Sequence, residues 1–151
     1  MALISMNPDN LVNLTGRIET KDMAAGIFKN NDGSRKMRFT LAVQDGYQKK
    51  DGSTGKQDIP VEAFIPASQV KTNDTGVETY GIYSTLRTGD LVNVMAHLES
   101  NNYEKDGKMV YGGIIVRVDY IKHREPKAVS ANRETKKSAE AAYAAAVANE
   151  E

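Results

Sequence analysis

Apolar and polar residues alternate with period two in five separate runs along the chain, the pattern of half-buried strands rather than of helices. In the first run Val12, Leu14 and Ile18 alternate with Asn13, Thr15, Arg17 and Glu19. In the second, Met37, Phe39, Leu41 and Val43 share one face while Arg38, Thr40 and Gln44 share the other. The third sets Ile59, Val61, Ala63 and Ile65 against Pro60, Glu62 and Phe64. The fourth sets Val92, Val94, Ala96 and Leu98 against Asn93, Met95, His97 and Glu99. The fifth places Val110, Ile114, Val116, Val118 and Tyr120 on the apolar face and Tyr111, Ile115, Arg117 and Asp119 on the other. Between the third and fourth runs, Ala67 to Thr88 shows no alternation, and a short helix is predicted there, ending near Arg87-Thr88-Gly89-Asp90.

Five strands with one short helix between the third and fourth is the order of an OB-fold barrel, so the pattern predicts an all-β domain of that class. Its expected bounds are residues 10–126. Residues 1–9 form an N-terminal arm, in which Leu3, Ile4 and Met6 precede the turn-like Asn7-Pro8-Asp9. Residues 127–151 read as a flexible, alanine-rich tail with almost no large apolar residue, and with a marginal helix over Ser138 to Ala148 that nothing obliges to pack. An apolar arm with no place in its own barrel is expected either to dock on a neighbouring subunit, which would make the protein a homo-oligomer, or to remain a disordered terminus.

The fourth and fifth runs meet at Asp106-Gly107, a hairpin signal. On both runs the polar face has odd numbers. A two-residue loop would oppose odd to even positions and set one strand's polar face beside the other's apolar face. A three-residue loop, Lys105-Asp106-Gly107 with the glycine as a bulge, restores agreement and places Tyr103 and Tyr111 together on the face opposite the core. Phe64, Arg17, Arg38 and Arg117 fall on outward faces by the same parity. Rings interleaved with cations are what single-stranded nucleic acid requires, flat surfaces for its bases and charges for its phosphates. The rival reading is a protein-interaction or assembly module, in which the same rings form a subunit interface.

Composition narrows the options. The chain has 151 residues, with 20 Lys+Arg against 20 Asp+Glu, so any basic surface must be made locally. Gly46 to Asp58 is one such place: Tyr47, Lys49, Lys50 and Lys56 sit on a glycine-rich hairpin that could close over a strand of DNA. It lacks the spacing of a phosphate-binding Walker loop. Cysteine is absent, which removes disulfides and thiol chemistry and suits a cytoplasmic protein. No window approaches the roughly 18 apolar residues of a membrane span. His97 and His123 have no acidic residues at metal-site spacing, so neither catalysis, a metal nor a cofactor is expected.

The stretches "NLTGRIETKD", "RFTLAV" and "GDLVNVMAHLESNNYEKDGKMVY", followed by a strand ending in "REPK", together resemble the bacterial single-stranded-DNA-binding proteins of the OB-fold class. The resemblance covers about Asn10 to Pro126. It implies sequence-tolerant binding of single-stranded DNA during replication or transfer, with Tyr47, Phe64 and Tyr103, and more weakly Phe28, stacking bases. The chain departs from the family in having no tryptophan, in ending "AAVANEE" without the family's apolar acidic tip, and in the segment Val70 to Asp90. Divergent members of this sort occur on plasmids, phages and conjugative elements, where the resemblance places this chain.

Overall fold

The computed structural model describes residues 6–148, so Leu3 and Ile4 of the expected arm lie outside the described residues. The fold is mostly β. The five alternating runs become β1 (Val12–Ile18), β3 (Arg35–Gln48), β4 (Thr54–Ile65), β7 (Leu91–Lys105) and β8 (Lys108–His123), with a short β2 (Ile27–Lys29) added before β3. Alternation sends one side of each into a common core: Ile18 from β1, Met37, Phe39 and Leu41 from β3, Val61, Ala63 and Ile65 from β4, Val92, Val94 and Ala96 from β7, Val118 and Ile121 from β8. Each larger side chain so buried stabilises the fold by about 1.5–3 kcal/mol.

Neighbouring strands run β1-β7-β8-β4-β3-β2, and β1 also pairs with β3, so the pairings of the five long strands return on themselves. Among the described residues only β4 and β8 run parallel, at Glu62↔Arg117 and Ala63↔Val118. The return through β1 depends on Gly16. A Cβ on that residue would lie 2.4 Å from the backbone oxygen of Ala42, so only glycine lets β1 reach β3 at Arg17↔Ala42 and Ile18↔Leu41.

The predicted helix between the third and fourth long strands is not there. Ala67–Gln69 and Gly81–Thr85 are single 3-10 turns, flanking a ribbon of β5 (Lys71–Thr72) and β6 (Glu78–Thr79). The cause is local competition for backbone donors: the Asn73 side-chain oxygen accepts from the N–H groups of Thr75 (3.0 Å) and Val77 (2.9 Å) and folds the chain back before a helix can start. Arg35 then ties the ribbon down, its Nη2 donating to Glu78 Oε1 at 2.8 Å. The hydrogen bond from Arg35, with a second from Tyr80, holds the Glu78 carboxyl down at about 2.

Among the described residues the α-helix is C-terminal, α1 (Lys127–Ala148), which corrects the expectation of a tail with no more than a marginal helix over Ser138–Ala148. Alanine-rich sequence has the intrinsic propensity, and the missing element was a nucleus. The buried carboxylate of Asp90 supplies it, accepting from Ser130 Oγ at 2.6 Å and from Arg133 Nη1 at 3.2 Å.

The β7–β8 hairpin also differs from expectation. Its loop is the two residues Asp106 and Gly107, with φ of 53° and 76°, and Lys105 opposes Lys108. Parity is repaired further down. Ser100 opposes Ile114 but Asn102 opposes Tyr111, so β8 carries one extra residue at Gly112-Gly113, and Gly113 adopts φ 89°. A second shift between Met95 and Ala96 lets Val118 and Ile121 both face the core and turns Tyr120, expected inside, outward.

Candidate nucleic-acid interface

The outward face of the sheet is built from two rows of residues in cross-strand register. In the first, Phe28 of β2 opposes Lys36 of β3, which opposes Phe64 of β4. Both rings are about half exposed. Lys36 Nζ and Arg38 Cζ lie 5.8 and 5.4 Å from the centre of the Phe28 ring, within cation–π range. The second row is Arg38, Glu62, Arg117 and His97, one residue each from β3, β4, β8 and β7.

Charges alternate along that second row and its flanks. Glu62 is 5% exposed although it sits on the outer face, because cations cover it: Arg38 Nε donates at 2.9 Å and Arg117 Nη1 at 2.7 Å, with Lys36 Nζ at 3.8 Å. Burial pushes its carboxyl up, but the Arg38 hydrogen bond and the charges of Lys36 and Arg117 outweigh that and hold it below the ordinary range. Arg117 also reaches Glu99, Nε to Oε2 at 3.1 Å. His97 lies between Glu99, 2.8 Å from Nε2, and Asp119, 2.8 Å from Nδ1. The hydrogen bonds to Asp119 and Glu99 raise the imidazole above its usual pKa. Because every arginine of the row already holds a carboxylate, a phosphate arriving here must displace one. The Phe64 ring meets no such competition, whereas the Phe28 ring already has Lys36 and Arg38 over it.

Beside the rows, where β4 and β8 share only two paired positions, opens a groove of about 340 Å³ lined by Thr20, Arg38, Thr40, Pro60, Asn101 and Ile115 among others. It offers hydroxyl and amide groups next to the stacking surface.

The structure brings some of the sequence candidates together and separates others. Phe28, Phe64, Arg38 and Arg117 share the outer face. Tyr103 continues that face along β7, six residues beyond His97, on the order of 20 Å of strand at the usual rise. Tyr111 does not join it. Tyr103 opposes Val110 and Tyr111 opposes Asn102, so the two rings lie on opposite faces of the ribbon, contrary to the parity argument from the sequence. Tyr47, Lys49 and Lys50 are exposed on the β3–β4 hairpin, whose turn is closed by Lys49 N–H to Ser53 O at 2.8 Å. Lys56 on β4 is paired with Glu19 and, at 3.1 Å, with Asp58. Arg17 serves elsewhere: its Nη1 donates to Glu125 Oε1 at 2.8 Å and to Gly89 O at 3.0 Å, at the root of α1.

Lys36, the cation between the two phenylalanines, is absent from the sequence candidates. It stands one residue ahead of the alternating run that begins at Met37, and extending that period backward would have put it on the outer face. Glu62 carried no such signal, since its burial comes from cations on two other strands. Among the described residues no helix is long and apolar enough to cross a membrane, and no group of three or more His, Asp or Glu is placed to hold a metal ion.

Neither the known protein families nor the curated proteins contain a match to this chain. Among solved structures it is similar to the crystal structure of a small single-stranded DNA-binding protein from Streptomyces coelicolor, with 19% identity and a TM-score of 0.45 over 75% of this chain and 92% of that one.

Proposed function

We propose that the domain is an OB-type barrel that binds single-stranded DNA without strong sequence preference, stacking bases on Phe64 and Phe28 and holding the backbone with neighbouring cations. The observation that carries the reading is the Phe28–Lys36–Phe64 row: two half-exposed rings in register across three strands with a cation between them. Every base has a π-face, so such a platform is indifferent to sequence, and an ammonium between two rings meets the phosphate that links two stacked bases. Tyr103 would extend the platform along β7, and the β3–β4 hairpin with Tyr47, Lys49 and Lys50 would close over the strand. The protein would thereby protect or organise single strands during replication or transfer.

A second reading has its own support. The ribbon face that carries Tyr111 also exposes Leu98 and Ile114, and apolar residues gathered on one side of a protruding hairpin suit contact with another protein or another copy of this chain.

Fluorescence-anisotropy titration with labelled single- and double-stranded oligonucleotides tests the first reading. Single strands should bind in preference to duplex, more weakly as salt rises. Phe64→Ala and Phe28→Ala should each cost about 1–3 kcal/mol of binding while leaving the melting temperature nearly unchanged. Variants that bind like the parent would remove these rings from the platform. A parent that binds no single strand, with Tyr111→Ala altering its size in solution, would establish the second reading instead.

A further inference from the structure

The α1 helix turns back over the loop that precedes β7, and what it brings there is charge. Ser130, Arg133 and Lys137 stand at i, i+3 and i+7, on one face of the helix. With Lys21, Arg87 and Thr88 they line a cavity of about 380 Å³. The Ser130 hydroxyl donates to Asp90, and the Thr88 hydroxyl to the backbone oxygen of Thr20 at 2.6 Å, so the character of the cavity is set by its four cations. Arg133 is its rigid wall, held by Asp90 at 3.2 Å and by Glu125 at 2.7 Å. Gly89 lies directly behind it, where a Cβ would come within 3.1 Å of Arg133 Cδ. The Arg133 and Arg17 hydrogen bonds hold Glu125 down at about 2, so that carboxylate stays charged and committed to them.

Lys21 and Lys137 stand outside the ion cluster behind Arg133, and of its two carboxylates Glu125 is shared with Arg17. The ammonium groups of the two lysines suit an anion in the recess. The position of the recess indicates which anion. Thr20 lines the groove beside the stacking rows, and Lys21, the next residue, lines this cavity. A strand leaving the groove past Thr20 therefore arrives at Lys21.

We propose that this cavity is a phosphate-binding site for the backbone of the same single strand, closed by the C-terminal helix. The inference rests on the single-strand reading and adds to it a contact that α1 supplies and the barrel alone does not.

The K21Q/K137Q double variant tests it, because both lysines are exposed and neither belongs to the Asp90–Glu125–Arg133 ion cluster. An oligonucleotide of about 16 nucleotides, the upper range for one such domain, is titrated at several salt concentrations. The logarithmic salt slope of the variant should be shallower than the parent's by about 0.7–1.4, one or two phosphates, with affinity several-fold lower at low salt. Phe64→Ala should lower affinity and leave the slope alone. Equal slopes in parent and double variant would overturn the proposal while the stacking platform stands. If the parent binds no oligonucleotide, the single-strand reading itself fails, and melting with inorganic pyrophosphate decides the cavity. A rise in the parent that the double variant loses would mark a site for a small phosphate ligand and overturn the strand assignment; no rise in either would remove the anion site altogether.

Discussion

His97 shows at the scale of one side chain how the outer face is tuned. Its ring is wedged between Asp119 and Glu99, and its pKa is raised. A folded state that holds a proton more tightly than the unfolded chain gains stability wherever that proton is bound in both. The contribution is thus complete below the unfolded value of about 6.5 and disappears as pH rises through the higher folded value. His97→Gln should therefore lower the melting temperature more at about pH 5.5 than in alkaline solution above the raised folded value, where the parent loses the charge. An equal deficit at both would mean that the imidazole contributes only packing. Nothing in the sequence marked this cluster: His97 and Asp119 are 22 positions apart, and they meet only because β7 and β8 pair with His97 opposite Arg117. Phe64 was legible because one strand's own alternation exposes it. Arg38 and Arg117 were legible as outward cations but not as partners of Glu62, since pairing across strands is a property of register.

Elements were legible where their signal was periodic and misread where a single extra residue or a docking contact decided the outcome. The five alternating runs became the five long strands. The parity argument about Tyr103 and Tyr111 was sound in requiring a bulge between tip and base and wrong in placing it at the turn. Asp106-Gly107 closed a two-residue loop, and the extra residue went to Gly112-Gly113. The tail was misread for a different reason. Its composition gives no apolar face, but docking came through Ser130 and Arg133 onto a buried acid, a contact that no hydrophobic pattern reveals. A division within α1 follows. Removing residues 139–151 takes away, among the described residues, only exposed helix and should leave the melting temperature nearly unchanged. Removing everything from Lys127 onward deprives Asp90, 1% exposed, of two of its donors. A buried carboxylate so stripped costs about 1–3 kcal/mol, or roughly 2–10 °C for a domain of this size. Equal melting temperatures for the two truncations would show that the helix root adds nothing to the body.

At the scale of the whole molecule, the closed circuit of pairings rests on its shortest long strand. β1 has seven residues, pairs with β7 from Val12↔Ala96 to Arg17↔Leu91, and reaches β3 only at its last two positions. One further link extends that junction, the Glu19 N–H donating to Thr40 O at 2.9 Å. The succession of strands along the chain was legible in the sequence; the place where β1 meets β3 was not, because the residue that permits the approach is a glycine, which reads as a gap in alternation rather than as a contact. Gly16→Ala would place a methyl 2.4 Å from the Ala42 oxygen and 3.2 Å from Val43 Cγ2, and the first of these neighbours is backbone that cannot rotate away. The strands must then part at the β1–β3 junction while β1 keeps its longer ladder with β7. The expected result is a loss of about 1–3 kcal/mol, the usual cost of forcing a methyl into a filled space. Hydrogen exchange locates the damage. The Glu19 amide should lose protection first, and the amides of β1 that bond to β7 should follow only with global unfolding. If Gly16→Ala melts like the parent and Glu19 stays protected, the circuit does not depend on this approach, and the β1–β3 junction is looser than its geometry implies.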